Sequence, residues 1–293
     1  MSIKYNIHKT TEESTGLGET VITTRYNTLS DFIQSLREFS FFNPDHMKES
    51  YSVNNQRDEF CGGTINDAFS VDNSKLNDSI TDFSDAARAV TEKLEEQYTT
   101  PPVYNMEVTG ECYDVAEVLN GRPECWFSLP EQKQKRLDIV YNTAIYGGMT
   151  RKIIFNRGAC FLGLLDALKA AGVNLSLQMV HYSYFIRLRK YTRLMLNLDV
   201  ETVSPETLRF ICCNALFPRR LSFYEKEIML KTTALKRHGY GDPYTYKPEK
   251  IENDTLVISR DFEPSSLDDG ARKIAAALEN CNFGSGEPQI FTI

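Results

Sequence analysis

The chain has 293 residues, a net charge of −7 and 41% hydrophobic residues, and its 17 Phe, 15 Tyr and 1 Trp are enough for a sizeable core. No apolar run approaches the length of a membrane span, and residues 1–20 lack the apolar centre of a signal peptide. The seven cysteines include no CxxC pair, which favours a reducing compartment. We therefore expect a cytoplasmic protein with no membrane partner.

The first part of the chain has few regular elements. We predict a flexible arm over residues 1–18, a strand over Thr20–Tyr26, and a helix capped by Ser30. Residues 43–82 are rich in Asn, Asp and Ser and show little periodicity, so we predict a long irregular region there. A further helix is predicted over residues 84–98, where Pro101 and Pro102 follow and stop it.

A βαβ unit over residues 137–180 forms the centre of the predicted fold. Residues 137–145 are rich in β-branched and aromatic side chains, residues 153–172 carry apolar side chains at helical spacing, and residues 173–179 alternate between apolar and polar. Short connections between strand, helix and strand predict parallel strands with a right-handed crossover. The predicted fold class is α/β, with a central mixed sheet built round this unit and helices on its faces.

The rest of the chain continues the same α/β pattern. The further predicted elements are a strand over Leu194–Leu198, a helix capped by Ser204, a helix from Arg219 to His238, a strand over Thr255–Ser259 and a helix capped by Ser266. We assign residues 19–283 to a single α/β domain.

The last ten residues, 284–293, are predicted to be a hinge followed by an apolar tail. Gly284-Ser285-Gly286 has no side chain that fixes a conformation, and Gln289–Ile293 is rich in β-forming residues. The tail could pack on its own domain, or it could add a strand to a neighbouring subunit. We favour exchange between subunits, and hence a homo-oligomer.

The motifs of common catalytic and cofactor sites are absent from the sequence. Residues 146–150, after the first strand of the unit, contain neither a GxGxxG turn nor a Walker lysine. An Asp-x-Ser-x-Ser run is also missing, so the metal site of von Willebrand A-type domains is not encoded, although the topology would suit one. The four histidines are isolated and there is no G-x-S-x-G elbow. We expect no enzyme, cofactor or metal; an enzyme hidden in the loop at Gly147 and Gly148 is the less favoured alternative.

Basic residues are concentrated in the middle of the chain. Residues 131–250 carry a net charge of +10, whereas residues 1–130 carry −12 and residues 251–293 carry −5. This distribution indicates a polyanion partner on one face, or else a solvated surface whose cations meet acidic residues of the flanks.

Aromatic residues interleave with these cations, which favours single-stranded nucleic acid because cations contact phosphates and rings stack on unpaired bases. If residues 181–193 are extended, one face carries Arg187, Arg189, Tyr191 and Arg193, and the other carries Tyr184, Ile186 and Leu188. The alternative for each tyrosine is ordinary core packing. The predicted nucleic-acid-binding residues are Arg187, Arg189, Lys190, Tyr191, Arg193, Arg219, Arg220, Lys236, Arg237, Tyr240, Tyr244, Arg151 and Lys152.

Two short stretches carry a resemblance to known proteins. Residues 113–125 contain Tyr113-Asp114-Val115 and the run from Asn120 to Cys125, and residues 156–168 contain Asn156-Arg157-Gly158-Ala159. On the basis of these motifs, the chain from Gly110 to Val180 resembles a family of bacteriophage proteins of uncharacterised domain type. In size and charge layout it is similar to the single-stranded-DNA-binding RNA polymerase cofactors of short-tailed lytic phages.

The resemblance implies an α/β fold that is not an OB-fold, and sequence-tolerant binding of single-stranded DNA. It also implies recruitment of the phage RNA polymerase in the cytoplasm of an infected bacterial host. A hypothesis of a different class is a non-catalytic protein–protein interaction module with a von Willebrand A-like core that lacks the metal site. In that case the basic surface would be incidental.

Overall fold

The protein folds as an α/β structure around a mixed sheet, which confirms the predicted fold class. The computed structural model describes residues 10–14, 18–54, 58–70, 105–107, 112–113, 126–128, 136–170, 173–232, 241–244, 253–279 and 289–293. The helix predicted over residues 84–98 and the hinge at 284–286 lie outside these ranges.

The described strands and helices are as follows. The strands are β1 (Thr11–Ser14), β2 (Thr20–Tyr26), β3 (Asn105–Glu107), β4 (Cys112–Tyr113), β5 (Trp126–Ser128), β6 (Arg136–Asn142), β7 (Asn174–Phe185), β8 (Lys190–Leu198), β9 (Asp242–Pro243), β10 (Asp254–Ile258) and β11 (Ile290–Thr292). The helices are α1 (Leu29–Phe42), α2 (Pro44–Glu49), α3 (Tyr51–Asn54), α4 (Asp58–Cys61), α5 (Ile65–Phe69), α6 (Arg151–Ala170), α7 (Pro205–Cys213), a π-helical turn (Phe217–Leu221) that leads into α8 (Ser222–Met229), and α9 (Leu267–Glu279).

The predicted strand–helix–strand unit is β6, α6 and β7. The strands β6 and β7 are parallel, with Leu137 opposite Leu175 and Tyr141 opposite Met179. Helix α6 is buried along most of its length, because apolar side chains occur on nearly every side of it. The sequence therefore identified the central unit and its strand direction.

The main sheet has the strand order β1-β2-β8-β7-β6-β10-β11, and the short strand β9 pairs with β7. Strand β8 runs antiparallel to β7, whereas β6, β7, β10 and β11 are mutually parallel. The strands β3, β5 and β4 form a separate small sheet.

The two faces of the main sheet have different roles. One face presents residues such as Leu137, Tyr141 and Leu196 to the main core, to which helices α1 and α5–α9 also contribute. The other face carries a smaller buried cluster in which Val140 and Val180 lie beside Tyr182. Alternation along each strand separates the two sets of side chains.

Helix α6 packs very closely on its neighbours at two glycines. A Cβ on Gly158 of α6 would lie 2.6 Å from the Cys212 carbonyl oxygen of α7, and a Cβ on Gly270 of α9 would meet Sγ of Cys160 in α6. Gly158 thus allows a backbone approach between two helices that any side chain would prevent.

Two segments in the first part of the chain differ from the sequence-based expectations. Thr11–Ser14 lies in the predicted flexible arm but forms β1, which pairs antiparallel with β2. The region predicted as irregular contains the short helices α2–α5. Helix α5 begins with a capping box between Thr64 and Asp67.

The C-terminal strand lies in the sheet of its own chain. Strand β11 pairs in parallel with β10, and Phe291 packs on the chain's own core. This arrangement is the self-packing alternative, and exchange between subunits stays a prediction. In the described ranges, no helix is both long enough and apolar enough to cross a membrane.

Candidate functional site

A tight turn joins β7 to β8 and carries the two most prominent predicted cations. Arg187 and Arg189 are exposed in this turn, and Arg189 has a left-handed φ of 50°. Because the chain reverses here, residues 181–193 are not one continuous strand. The predicted division of faces is therefore wrong: Tyr184 lies directly opposite Tyr191, on the same face of the sheet.

Tyrosine rings cluster next to this turn. The rings of Tyr184 and Tyr191 stack with centroids 4.3 Å apart, and the Tyr244 ring meets that of Tyr191 edge-on at 5.5 Å. The Tyr184 hydroxyl donates a hydrogen bond of 3.0 Å to Oε1 of Glu19. Burial, with Glu19 as the next cause, raises the pKa of Tyr191 to about 12, so the ring carries a protonated hydroxyl at neutral pH.

We define the hairpin patch as Tyr184, Arg187, Arg189, Lys190, Tyr191 and Tyr244. The Tyr244 side chain is 45% exposed, whereas Lys190 and the other two tyrosines are half-buried. The structure thus brings together six residues from β7, the turn after it, β8 and the position that follows β9. All except Tyr184 are among the predicted binding residues.

Arg219 and Arg220 were predicted to bind nucleic acid, and the structure shows that this was wrong. Only 2% of Arg219 and 1% of Arg220 is exposed. Arg219 donates through Nη1 to the carbonyl oxygen of Phe60 at 2.6 Å and through Nη2 to that of Met149. Arg220 donates to the carbonyl oxygens of Gly63 and Ser52 at 2.9 and 2.8 Å. Both guanidinium groups therefore join segments of the fold.

Arg193 is also buried, with its guanidinium 5.0 Å from the centre of the Tyr182 ring. It packs against the face of the sheet that carries the hairpin patch, and it is not a surface contact for a phosphate. Arg151 and Lys152 are exposed at the beginning of α6 and remain candidates. Lys236, Arg237 and Tyr240 lie outside the described residues.

Burial reduces the exposed charge of the central segment. Among the described residues between 131 and 250, six basic residues are buried, namely Arg157, Arg193, Arg209, Arg219, Arg220 and Lys226. Two acidic residues of the same segment, Glu225 and Glu227, are buried as well. The net charge of +10 therefore overstates the positive charge that a polyanion would meet at the surface.

The crevice between the ends of β6 and β10 is occupied by a guanidinium group. The chain passes from β6 to its neighbour β7 and from β10 to its neighbour β11, and these two neighbours lie in opposite directions along the strand order. Open α/β sheets commonly bind ligands at such a point. Here buried Arg157 donates to the carbonyl oxygens of Asn142 and Ser259, the latter at 2.7 Å. Its guanidinium lies 4.9 Å from the centre of the Tyr141 ring.

A cavity of about 360 Å³ lies beyond the end of β6. Its lining includes Gly147, His181 and Lys226, none of which was among the predicted site residues. The alternative of an enzyme in the Gly147 loop required a pocket at this strand end, and one is present. His181 had been set aside as an isolated histidine; Lys226 carried no sequence signal, because only the fold brings α8 to β7.

The ionisable groups of this cavity are shifted toward their neutral forms. Burial lowers the pKa of Lys226 well below its usual value. Burial also lowers the pKa of His181 well below its usual value, and Lys226 and Arg157 act in the same direction. The His181 Nδ1 lies 3.1 Å from Oγ1 of Thr143. Within the described residues, no group of three or more His, Cys, Asp or Glu side chains is placed to hold a metal ion.

The fold and these sites define the class of the protein as an open mixed-sheet α/β protein with a basic, tyrosine-rich hairpin. Its sequence matches the family described as "Domain of unknown function (DUF7192)" over residues 7–282, and the chain therefore belongs to that family. No curated protein and no solved structure matches the chain.

Proposed function

We propose that this protein binds single-stranded nucleic acid, with little sequence preference, through the hairpin patch. The observation that carries the proposal is the tight turn that exposes Arg187 and Arg189 between the two strands that carry the stacked rings of Tyr184 and Tyr191. Cations contact phosphates, and the exposed parts of the rings receive unpaired bases. A duplex, whose bases are already stacked, gains less from such rings.

The same proposal includes the role that the phage resemblance implies. A non-catalytic cofactor of this kind would hold single-stranded DNA and recruit the phage RNA polymerase in the cytoplasm of the infected host. A homo-oligomer would place several hairpin patches along one strand. The resemblance supports these points, and each of them is tested separately from nucleic-acid binding.

The first experiment is a fluorescence anisotropy titration with a labelled single-stranded oligonucleotide and the matching duplex, at several salt concentrations. We expect tighter binding of the single strand and an affinity that falls as salt rises, because bound phosphates release counterions. An affinity that does not change with salt would contradict the proposal. Equal affinity for the single strand and the duplex would contradict the proposed stacking of unpaired bases on the tyrosine rings.

The second experiment replaces Arg187 and Arg189 with glutamate in one variant. Loss of two phosphate contacts should lower the slope of log affinity against log salt by about 1.4, at roughly 0.7 per phosphate for single strands. The exposed pair Arg151 and Lys152, replaced in the same way, is the matched control. Unchanged affinity in the first variant with weaker binding in the second would move the site to the beginning of α6.

A second candidate function is a non-catalytic protein–protein interaction module with a von Willebrand A-like core. It is favoured by the crevice at β6 and β10, where Arg157 occupies the usual ligand position of an open α/β sheet. A partner protein that stays bound after nuclease treatment, together with no anisotropy change for either oligonucleotide, would favour this candidate over nucleic-acid binding.

A further inference from the structure

The cavity beyond β6 is separate from the hairpin patch. His181 and Ser183 line it from the helix-covered face of β7, whereas Tyr182 and Tyr184 project from the opposite face. Residues 241–243 form part of the cavity wall, since β9 pairs with β7 at Ser183. A ligand in this cavity would therefore not use the surface proposed for nucleic acid.

Basic side chains converge on the cavity from two directions. Lys226 of α8 and Arg219 of the π-helical turn both line it, and they are only 3% and 2% exposed. The Arg219 Nε has no hydrogen-bond partner among the described residues, although the two terminal nitrogens donate to carbonyl oxygens. Buried donors of this kind are stabilised when an anionic group accepts from them.

Acidic groups are scarce around the same space. Asp242 is the one carboxylate among the lining residues that the structure describes, and its side chain is exposed at the rim. The charged groups that act on His181 are Lys226 and Arg157, both of which are basic. An anionic ligand would therefore meet basic side chains here, and its charge would favour the protonated form of Lys226 against the effect of burial.

Aromatic rings form much of the remaining wall. Phe60, Tyr146 and Phe223 line the cavity. The Arg219 guanidinium lies 3.7 Å from the centre of the Phe60 ring, and the Lys226 amine lies 4.7 Å from that of Phe223. Ligand pockets typically combine such apolar walls with a few polar groups and have volumes of about 300–1,000 Å³.

We propose that this cavity binds a small organic anion. Its carboxylate or phosphate group lies beside Lys226 and Arg219, and its flat apolar part lies against the rings of Phe60, Tyr146 and Phe223. This ligand site is separate from the hairpin patch, and its test therefore does not depend on nucleic-acid binding.

The test uses isothermal titration calorimetry with matched small molecules. Benzoate and phenyl phosphate supply the two anionic groups on one ring, and benzamide and inorganic phosphate supply the ring without charge and the charge without a ring. We expect an organic anion to bind at least about tenfold more tightly than benzamide, since hydrogen bonds to charged groups exceed neutral ones by about this factor. The anion that binds more tightly, benzoate or phenyl phosphate, shows whether the site prefers a carboxylate or a phosphate group.

Two substitutions with opposite expected effects locate the site. Lys226→Met keeps the length and apolar stem of the side chain and should weaken binding of the better anion by about tenfold or more. Asp242→Asn removes the rim carboxylate and should strengthen binding several-fold, because a like charge is lost. Arg136→Met, at an exposed position at the beginning of β6 and hence at the opposite end of that strand from the cavity, is the control and should leave affinity unchanged.

The proposal is overturned if benzamide binds as tightly as benzoate, or if none of the four molecules binds. It is also overturned if Asp242→Asn and Lys226→Met both leave affinity unchanged. Since Asp242 is exposed, its variant should fold normally, and the sign of its effect decides the matter even where Lys226→Met does not fold.

Discussion

Replacing Arg220 with methionine distinguishes a structural arginine from one that contacts a ligand. Its guanidinium donates to the carbonyl oxygens of Gly63 and Ser52, which lie in segments far from it in the chain. Methionine retains the apolar stem but provides no donor, so two buried carbonyl oxygens lose these hydrogen bonds. Hydrogen bonds from a charged donor contribute about 1.5–3 kcal/mol each, so we expect a loss of about 3–5 kcal/mol in the free energy of unfolding.

The assay is urea denaturation followed by circular dichroism, on the wild type and on Arg220→Met. The matched control is Arg187→Met, which changes an exposed arginine and should alter the free energy of unfolding by less than about 0.5 kcal/mol. The same two proteins should show the reverse order in oligonucleotide binding, where only Arg187→Met weakens affinity.

A loss below about 0.5 kcal/mol for Arg220→Met would refute this reasoning, because ordinary surface substitutions lie within that size. A folded Arg220→Met protein with normal stability and weakened nucleic-acid binding would restore Arg220 to the binding surface. That outcome would also require the segment around Ser52 to move away from the guanidinium group.

Three further predictions concern packing, pH and the C-terminal strand. Gly158→Ala should destabilise the fold by about 1–3 kcal/mol in urea denaturation, because its Cβ would meet the backbone of α7, whereas Gly147→Ala has open space around it and should be tolerated. Burial raises the pKa values of Glu225 and Glu227 to about 7, so both bind protons more readily in the folded state. Stability should therefore fall as pH rises from about 4.5 to about 7, and a double change to glutamine should flatten melting temperature against pH over that window. Deleting residues 289–293 removes β11, and we expect a lower melting temperature with unchanged molar mass by light scattering; loss of an oligomer would instead support strand exchange.

Local sequence patterns were sufficient for the elements whose side-chain period is unambiguous. Residues 174–179 alternate and lie within β7, and the apolar spacing from Phe161 to Leu168 lies within α6. Ser204 caps α7 as predicted, because its hydroxyl accepts from the backbone N–H of Thr207. These features depend on neighbours a few residues apart, which the sequence displays directly.

Whether each basic side chain is exposed or buried could not be predicted in the same way. Whether Arg219 is a surface cation or a buried donor depends on the carbonyl oxygens of Phe60 and Met149, which only the tertiary fold brings together. Arginine tolerates burial when its donors are satisfied, so charge alone is a poor indicator of exposure. The cavity was missed for a related reason, since Lys226 and His181 belong to elements distant in the chain.

The parallel pairing of β2 with β8 has a consequence for how the chain folds. Thr20 lies opposite Lys190, so this pair of strands closes a very long loop, whereas β7 and β8 are joined by a tight turn. Contacts between residues so far apart in sequence form slowly. During that interval β8 has an unpaired edge that another chain could pair with. The yield of refolding should accordingly decline as protein concentration rises, and Val21→Pro, which would prevent a ladder hydrogen bond in β2, should worsen it.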